Sequence, residues 1–229
     1  MKKWKHHMKE NFKKVLCERL TLLYGGENLG NKEDPTDELF FLLLSTKTSY
    51  KSYEGCYEAV KKRFPSWNEL LSIDLKDLEE TIRPCGLYKY KARLIVRVAQ
   101  VLKETFGRVT LDPLREWPTE EAERFLLGLP GVGPKVAKGV LMYSLGRPVL
   151  PVDTHTHRLA YRLGLIDKPR NMRDERGKLH AELESLVPPD CRKVFHVGAV
   201  VMGRSLCLPK NPRCSSCPLN DICPKNGVL

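Results

Sequence analysis

Apolar residues recur at helical spacing along almost the whole chain, and the alternation of a half-buried strand is nearly absent. Over 10–24, Phe12, Val15, Leu16, Leu20 and Leu23 share one face and leave Lys13, Lys14, Glu18 and Arg19 for the other, which predicts an amphipathic helix. Gly25 and Gly26 end it. Asp34 followed by Pro35 predicts the next helix start, because Asp is a good N-cap and proline suits the first helical position. The ELFFLLLS stretch behind them is apolar nearly all round, so this helix belongs at the centre of the fold. Further helices are expected over 50–63, over a short span to 71 opened by the capping-box pair Ser66 and Glu69, and over 74–83 capped by Asp74. A long one with many basic residues on one side covers 88–106. Thr119 is expected to cap a helix to 128, and Pro134 to open the next. Later helices are expected over 154–163, 175–187 and 190–202. The predicted class is all-α, with about ten helices and no internal repeat.

Charge adds a partner class to this picture. The net charge is +11 and the pI near 9.3, with basic residues spread along the chain rather than gathered in one tail. Such an excess favours a polyanion, most simply nucleic acid, over a merely soluble basic surface. No apolar run is long enough for a membrane span. The basic start, MKKWKHHMKENFKKV, lacks the apolar segment of a secretory signal.

Candidate chemistry concentrates at 129–155, LPGVGPKVAKGVLMYSLGRPVLPVDTH. Gly131 and Gly133 allow a tight turn between two helices. Their N–H groups, with those at the start of the next helix, can converge on one anion such as a phosphodiester; a turn without a ligand is the plainer reading. Lys135 is the second residue of the helix that Pro134 opens. The positive helix end disfavours its protonated form. A neutral amine there could form a Schiff base; a point-charge contact to phosphate is the alternative. Asp153 reads as the N-cap of the following helix, a role compatible with stabilising positive charge on a sugar ring. His155 and His157 form an HxH too poor in ligands for a metal site, and packing at the helix start or a phosphate contact fits His155 better.

Of eight cysteines, Cys207, Cys214, Cys217 and Cys223 form a C-x6-C-x2-C-x5-C loop laced with prolines. Four thiolates so close suit a [4Fe–4S] cluster or a structural zinc. Free redox-reactive thiols are a remote third possibility. Cys17, Cys56, Cys85 and Cys191 are scattered and read as buried small apolar residues.

LPGVGPK at 129–135, VDTHTHRLAYRLGL at 152–165, GLYKYKA at 86–92 and the cysteine spacing together resemble the endonuclease III family of helix-hairpin-helix DNA glycosylases. The resemblance runs from about 34 to 224. It implies a helical domain over 35–147, a six-helix barrel containing the hairpin, and a second over 1–34 and 148–229 that carries the iron–sulfur loop. It implies Lys135 as the nucleophile, Asp153 as its partner, a [4Fe–4S] cluster on the four cysteines, and a base entering a cleft between the domains. The reaction implied is excision of a damaged base, most simply an oxidised pyrimidine, followed by β-elimination at the abasic site. A mismatch thymine/uracil or oxidised-purine glycosylase, or a non-catalytic DNA-binding module, are the rivals. Double-stranded DNA is the implied partner of a cytoplasmic, nucleoid-associated monomer. Implied DNA contacts are Lys47, Leu87 (an intercalating wedge), Tyr88, Lys91, Gly131, Val132, Gly133, His155 and Arg213. Lys47 and Tyr50 depart from the glutamine and aspartate usual in the family, which leaves the choice of lesion and opposite base open.

Overall fold

The computed structural model of the chain describes residues 2–166 and 176–228. Ten α-helices and no strand occur among them: α1 (Lys2–Tyr24), α2 (Pro35–Ser45), α3 (Tyr50–Arg63), α4 (Leu75–Thr81), α5 (Tyr88–Phe106), α6 (Thr119–Gly128), α7 (Pro134–Tyr143), α8 (Thr154–Arg162), α9 (Arg176–Leu186) and α10 (Arg192–Ser205). They fall into two compact units: a central one, Gly30–Arg147, and a terminal one, Met1–Leu29 with Pro148–Leu229. No described helix is long and apolar enough to cross a membrane.

The central unit is built round α2. Asp34 caps it, accepting from the N–H groups of Thr36 and Asp37 at 2.8 Å each. Leu39 through Leu44 are all buried, as an all-round apolar helix requires. Each such side chain contributes about 1.5–3 kcal/mol relative to exposure. α7 crosses α2 so closely that a Cβ on Gly139 would overlap the Leu42 side chain. The Ser66 capping box forms, with the Ser66 N–H donating to Glu69 Oε1 at 2.8 Å, but the element it opens is a 3-10 helix, Trp67–Leu71. Thr119 does not cap α6. It is the first helical residue, and Pro118 holds the cap position without a side-chain bond. The carbonyl of Pro118, which accepts from Glu121 and Ala122, starts the helix instead.

In the terminal unit α1 begins at Lys2, well before the amphipathic stretch that predicted it. The extra turns come from helix-favouring Lys, Met and Glu, which carry no apolar period to read. α1 lies against α10, where a Cβ on Gly198 would meet Leu20 and Tyr24 at 2.9 Å. This packing corrects the reading of two cysteines. Cys17 and Cys191 are not separate thiols but a disulfide, their Cα atoms 5.6 Å apart across 174 positions of sequence. Cys56 and Cys85 are free and buried, as expected. Of the helix expected over 175–187, position 175 lies outside the described residues.

Candidate active site

In the central unit α6 and α7 are joined by the hairpin 129–133. Two turn bonds close it, Leu129 N–H to Leu126 O (3.1 Å) and Val132 N–H to Leu129 O (3.2 Å). Gly131 is required there twice over: its φ is +68°, and a Cβ would lie 2.6 Å from the Leu94 methyls. Gly131 is exposed, Gly133 half-buried, and among the described residues neither donates its N–H to another group. Val132 is different. Its N–H is used inside the turn and its side chain is buried, so it plugs the hairpin from within rather than facing a ligand.

Lys135 stands half-buried in the first turn of α7, and its Nζ donates to Ser45 Oγ at 3.2 Å. Ser45 Oγ in turn donates to Leu42 O at 2.7 Å. The close antiparallel crossing of α2 and α7 brings this amine to the carbonyl end of α2, where partial negative charge favours cations. One turn on, Lys138 is buried in an ion pair with Glu123 of α6 at 3.0 Å.

Lys91 corrects the sequence reading. It is 2 % exposed and faces no partner outside the chain. Its Nζ donates to Leu44 O and Thr48 Oγ1, both at 2.6 Å, and so caps the carbonyl end of α2. The outward basic residues of α5 are Lys89, Arg93 and Arg97, at four-residue intervals; position 91 lies some 200° round the helix from 89. Tyr88 is half-buried. Leu87 is 53 % exposed at a φ of +62°, which removes the core reading for this leucine. Lys47, exposed at φ +52°, is its neighbour: the Lys47 carbonyl oxygen lies 3.4 Å from where a Cβ on Gly86 would be. The left-handed Lys47 thus backs onto the residue before the left-handed Leu87, and Lys91 fastens the turn between Leu44 and Thr48.

In the terminal unit Asp153 caps α8, its Oδ1 accepting from Thr156 N–H at 2.8 Å. Of the two roles open to His155, packing is the one observed. Its ring lies against Gly203, and its Nδ1 accepts from Arg158 Nη2 at 3.0 Å. Further along α8, Arg158 donates to Cys207 O (2.7 Å), and Arg162 donates to Leu208 O (2.8 Å) and to Cys207 Sγ (3.1 Å). Neither arginine stood out in the sequence; they lie four residues apart on α8, on the face turned to the cysteine loop. Cys207, Cys214, Cys217 and Cys223 line one pocket with Arg162. Arg213 is exposed on the loop. Among the described residues no three His, Cys, Asp or Glu side chains converge where one metal ion could sit. A zinc needs all four sulfurs about 2.3 Å from a single centre. A cuboidal cluster takes one thiolate at each of four irons, so four thiols spread round a pocket fit it better.

Residues 41–189 match the HhH-GPD superfamily of base excision DNA repair proteins, and 207–223 match the iron–sulfur binding domain of endonuclease III. The chain belongs to this superfamily. It is 33 % identical to an endonuclease III of Thermotoga maritima over 83 % of each chain. It is also 31 % identical to a thymine/uracil-DNA glycosylase of Pyrobaculum aerophilum, over 83 % of this chain and 80 % of that one. The fold is that of a solved non-covalent endonuclease III–DNA complex, with TM-score 0.78, 24 % identity and 95 % of each chain covered. The protein is an endonuclease III-like DNA glycosylase whose cysteine loop carries a [4Fe–4S] cluster.

Tyr50, one of the glycosylase's departures from family pattern, donates to Glu54 Oε1 at 2.5 Å and packs against Gly30 and Tyr53. It is a local packing residue. A group that the sequence hid is Glu38, the buried one of the two carboxylates in α2. It is 0 % exposed, accepts from Lys32 N–H (2.7 Å) and Asn31 Nδ2 (2.5 Å), and feels the charge of Lys135. Burial outweighs these partners and raises its pKa from 4.5 to about 7. A carboxyl raised on folding costs nothing below the unfolded value, where both states are protonated. The cost grows as pH rises from 4.5 and levels above about 7, at roughly 3 kcal/mol. Glu38→Gln should therefore stabilise the protein by about 1–3 kcal/mol at pH 8 and change little at pH 4.5. Urea unfolding at the two pH values checks this; an equal effect at both would contradict it.

Proposed function

We propose that the glycosylase is bifunctional: it releases a damaged base, by first choice an oxidised pyrimidine, from double-stranded DNA and then nicks the strand as an AP lyase. The observation that carries this is Lys135, an amine held half-buried by Ser45 Oγ directly behind a hairpin whose glycine N–H groups can receive a phosphate. In this reading the hairpin grips the backbone beside the lesion. Leu87 wedges between base steps and holds the kink while the nucleotide leaves the stack. Lys47, Tyr88 and Arg213 contact the DNA, joined by Lys89, Arg93 and Arg97. Lys135 first gives up a proton, and its free amine attacks C1′. The glycosidic bond breaks, its electron pair leaving with the base, which takes up a proton. Opening of the sugar ring yields a protonated imine. Loss of a C2′ proton then expels the 3′ phosphate, and water hydrolyses the imine to free the amine. Asp153 stabilises positive charge on the sugar or relays a proton. The cluster, bound by Cys207, Cys214, Cys217 and Cys223, cross-links the loop and supplies no electron to the reaction. The protein acts as a monomer, in the cytoplasm, where it meets the nucleoid.

Lys47 in place of glutamine, together with one relative named as a thymine/uracil-DNA glycosylase and another as a thymine-DNA glycosylase, favours one second reading: mismatched thymine or uracil as the base released. Borohydride trapping on a panel of single-lesion and mismatch duplexes tests both. A covalent adduct on an abasic duplex and on an oxidised-pyrimidine duplex is the expected result. Excision confined to G·T and G·U mismatches selects the second reading, and no adduct on any duplex removes the lyase.

A further inference from the structure

The segment that delivers Asp153 to α8, 148–153, has no strand beside it and belongs to no helix. Its backbone groups must find partners elsewhere, because Leu150 and Val152 are buried and an unpaired buried N–H costs about 1–3 kcal/mol. Side chains of two helices supply them. From α9, Glu184 Oε1 accepts from Leu150 N–H at 2.6 Å, and His180 Nε2 accepts from Val152 N–H at 3.0 Å. From α10, His196 Nδ1 donates to Pro151 O at 2.9 Å, and Arg192 donates to Pro148 O. The spacing is matched. Residues four apart on a helix lie on one face about 6 Å apart along the axis. N–H groups two apart on an extended chain recur at roughly 6.6–6.8 Å. α9 therefore presents acceptors at the interval at which this segment presents donors, and stands in for a neighbouring strand.

The proton positions follow. A backbone N–H can only donate, so His180 Nε2 carries no proton, and a carbonyl can only accept, so His196 carries one on Nδ1. His180 is 3 % exposed, and its bond is to the residue immediately before Asp153.

We propose that His180, seconded by Glu184, is the positioning residue of Asp153: it sets the register of the segment and so places the carboxylate at the mouth of α8. This rests on Asp153 acting in catalysis, and the test separates the two claims. Position matters at this scale, since a displacement near 1 Å can slow a reaction about a hundredfold. His180→Leu removes the acceptor, while His180→Gln can return one through its side-chain oxygen. Single-turnover base excision should fall about 30–100-fold in His180→Leu with affinity for lesion duplex unchanged, and recover to within about threefold of wild type in His180→Gln. In an Asp153→Asn background His180→Leu should add nothing further, because both changes act through one group. Hydrogen exchange at Val152 should quicken in His180→Leu and stay slow in His180→Gln. Should His180→Leu not fold, His180→Asn, one methylene too short to reach, replaces it. A full-rate His180→Leu, an additive loss with Asp153→Asn, or parallel losses of rate and affinity would each overturn the assignment. A wild-type protein that excises nothing would sink the proposed activity, while exchange at Val152 would still decide whether His180 holds the segment.

Discussion

Lys135→Ala is expected to leave a folded protein that forms no borohydride adduct and nicks abasic duplex at least about a thousandfold more slowly. The fold should tolerate the change. Alanine is the best helix former, Pro134 still opens α7, and the half-buried bond to Ser45 Oγ is not part of the core packing. The thermal midpoint should move by only a few degrees. The chemistry should not tolerate it, and neither buried amine nearby can take its place: Lys138 is paired with Glu123, and Lys91 is fixed under α2. Lys135→Gln keeps a donor for Ser45 and should be equally inactive, which separates the amine's reactivity from its hydrogen bond. Affinity for abasic duplex should fall less than about tenfold, as for one lost charge contact. Undiminished trapping by Lys135→Ala would refute the assignment. Surviving base release without nicking would mean that water, not lysine, attacks the sugar.

Loss of one cluster ligand should act on stability with comparable force. The loop carrying the cysteines has little regular structure beyond the short 3-10 turn Cys214–Ser216, and Leu219 is its one side chain in the buried core. Turn bonds, Arg158 and Arg162 of α8, and an Arg19–Asp221 pair at 2.5 and 2.7 Å fasten it. Burial raises the pKa of the Cys217 and Cys223 thiols, so without a metal they are held neutral and give no cross-link. Metal binding adds directly to folding free energy where a site would otherwise be loose. Cys214→Ser is therefore expected to give colourless protein without iron or sulfide, a protease-sensitive C-terminal loop, and a stability lower by on the order of 5 kcal/mol. Iron content, limited proteolysis and thermal unfolding read these together. A colourless variant as stable as wild type would show that the loop folds on its own.

Much of this was legible in the sequence, for identifiable reasons. Helical spacing exposed the elements because nearly every helix is apolar on one face only. α2 was placed at the centre because it is apolar all round. The hairpin and the cysteine loop were readable because their chemistry demands particular residues at short range. What stayed hidden depends on distant partners. Nothing near Cys17 or Cys191 points across 174 positions to its mate. Lys91 sits in a basic stretch that reads as a DNA face, and only the open carbonyl end of α2 beneath it turns it inward. Val132 shares a motif with two glycines yet faces the opposite way. Glu38 is one carboxylate in a greasy helix, explained by a loop that folds back over it. Asp153 was found by its motif, whereas the side chains that hold its segment come from α9 and α10.

The terminal unit is assembled from both ends of the chain, and this imposes an order of events on the ribosome. Residues 30–147 emerge as one uninterrupted stretch and hold a whole unit. α1 is made first but packs on α10, so Leu16 and Leu20 lack their partner surface for roughly ten to thirty seconds of synthesis. The four cysteines appear later still. The central unit can therefore fold during translation, whereas metallation of the loop and closure of α1 over α10 must wait until the later segments have emerged. A cell short of iron would accumulate chains whose hairpin is complete and whose ends are not.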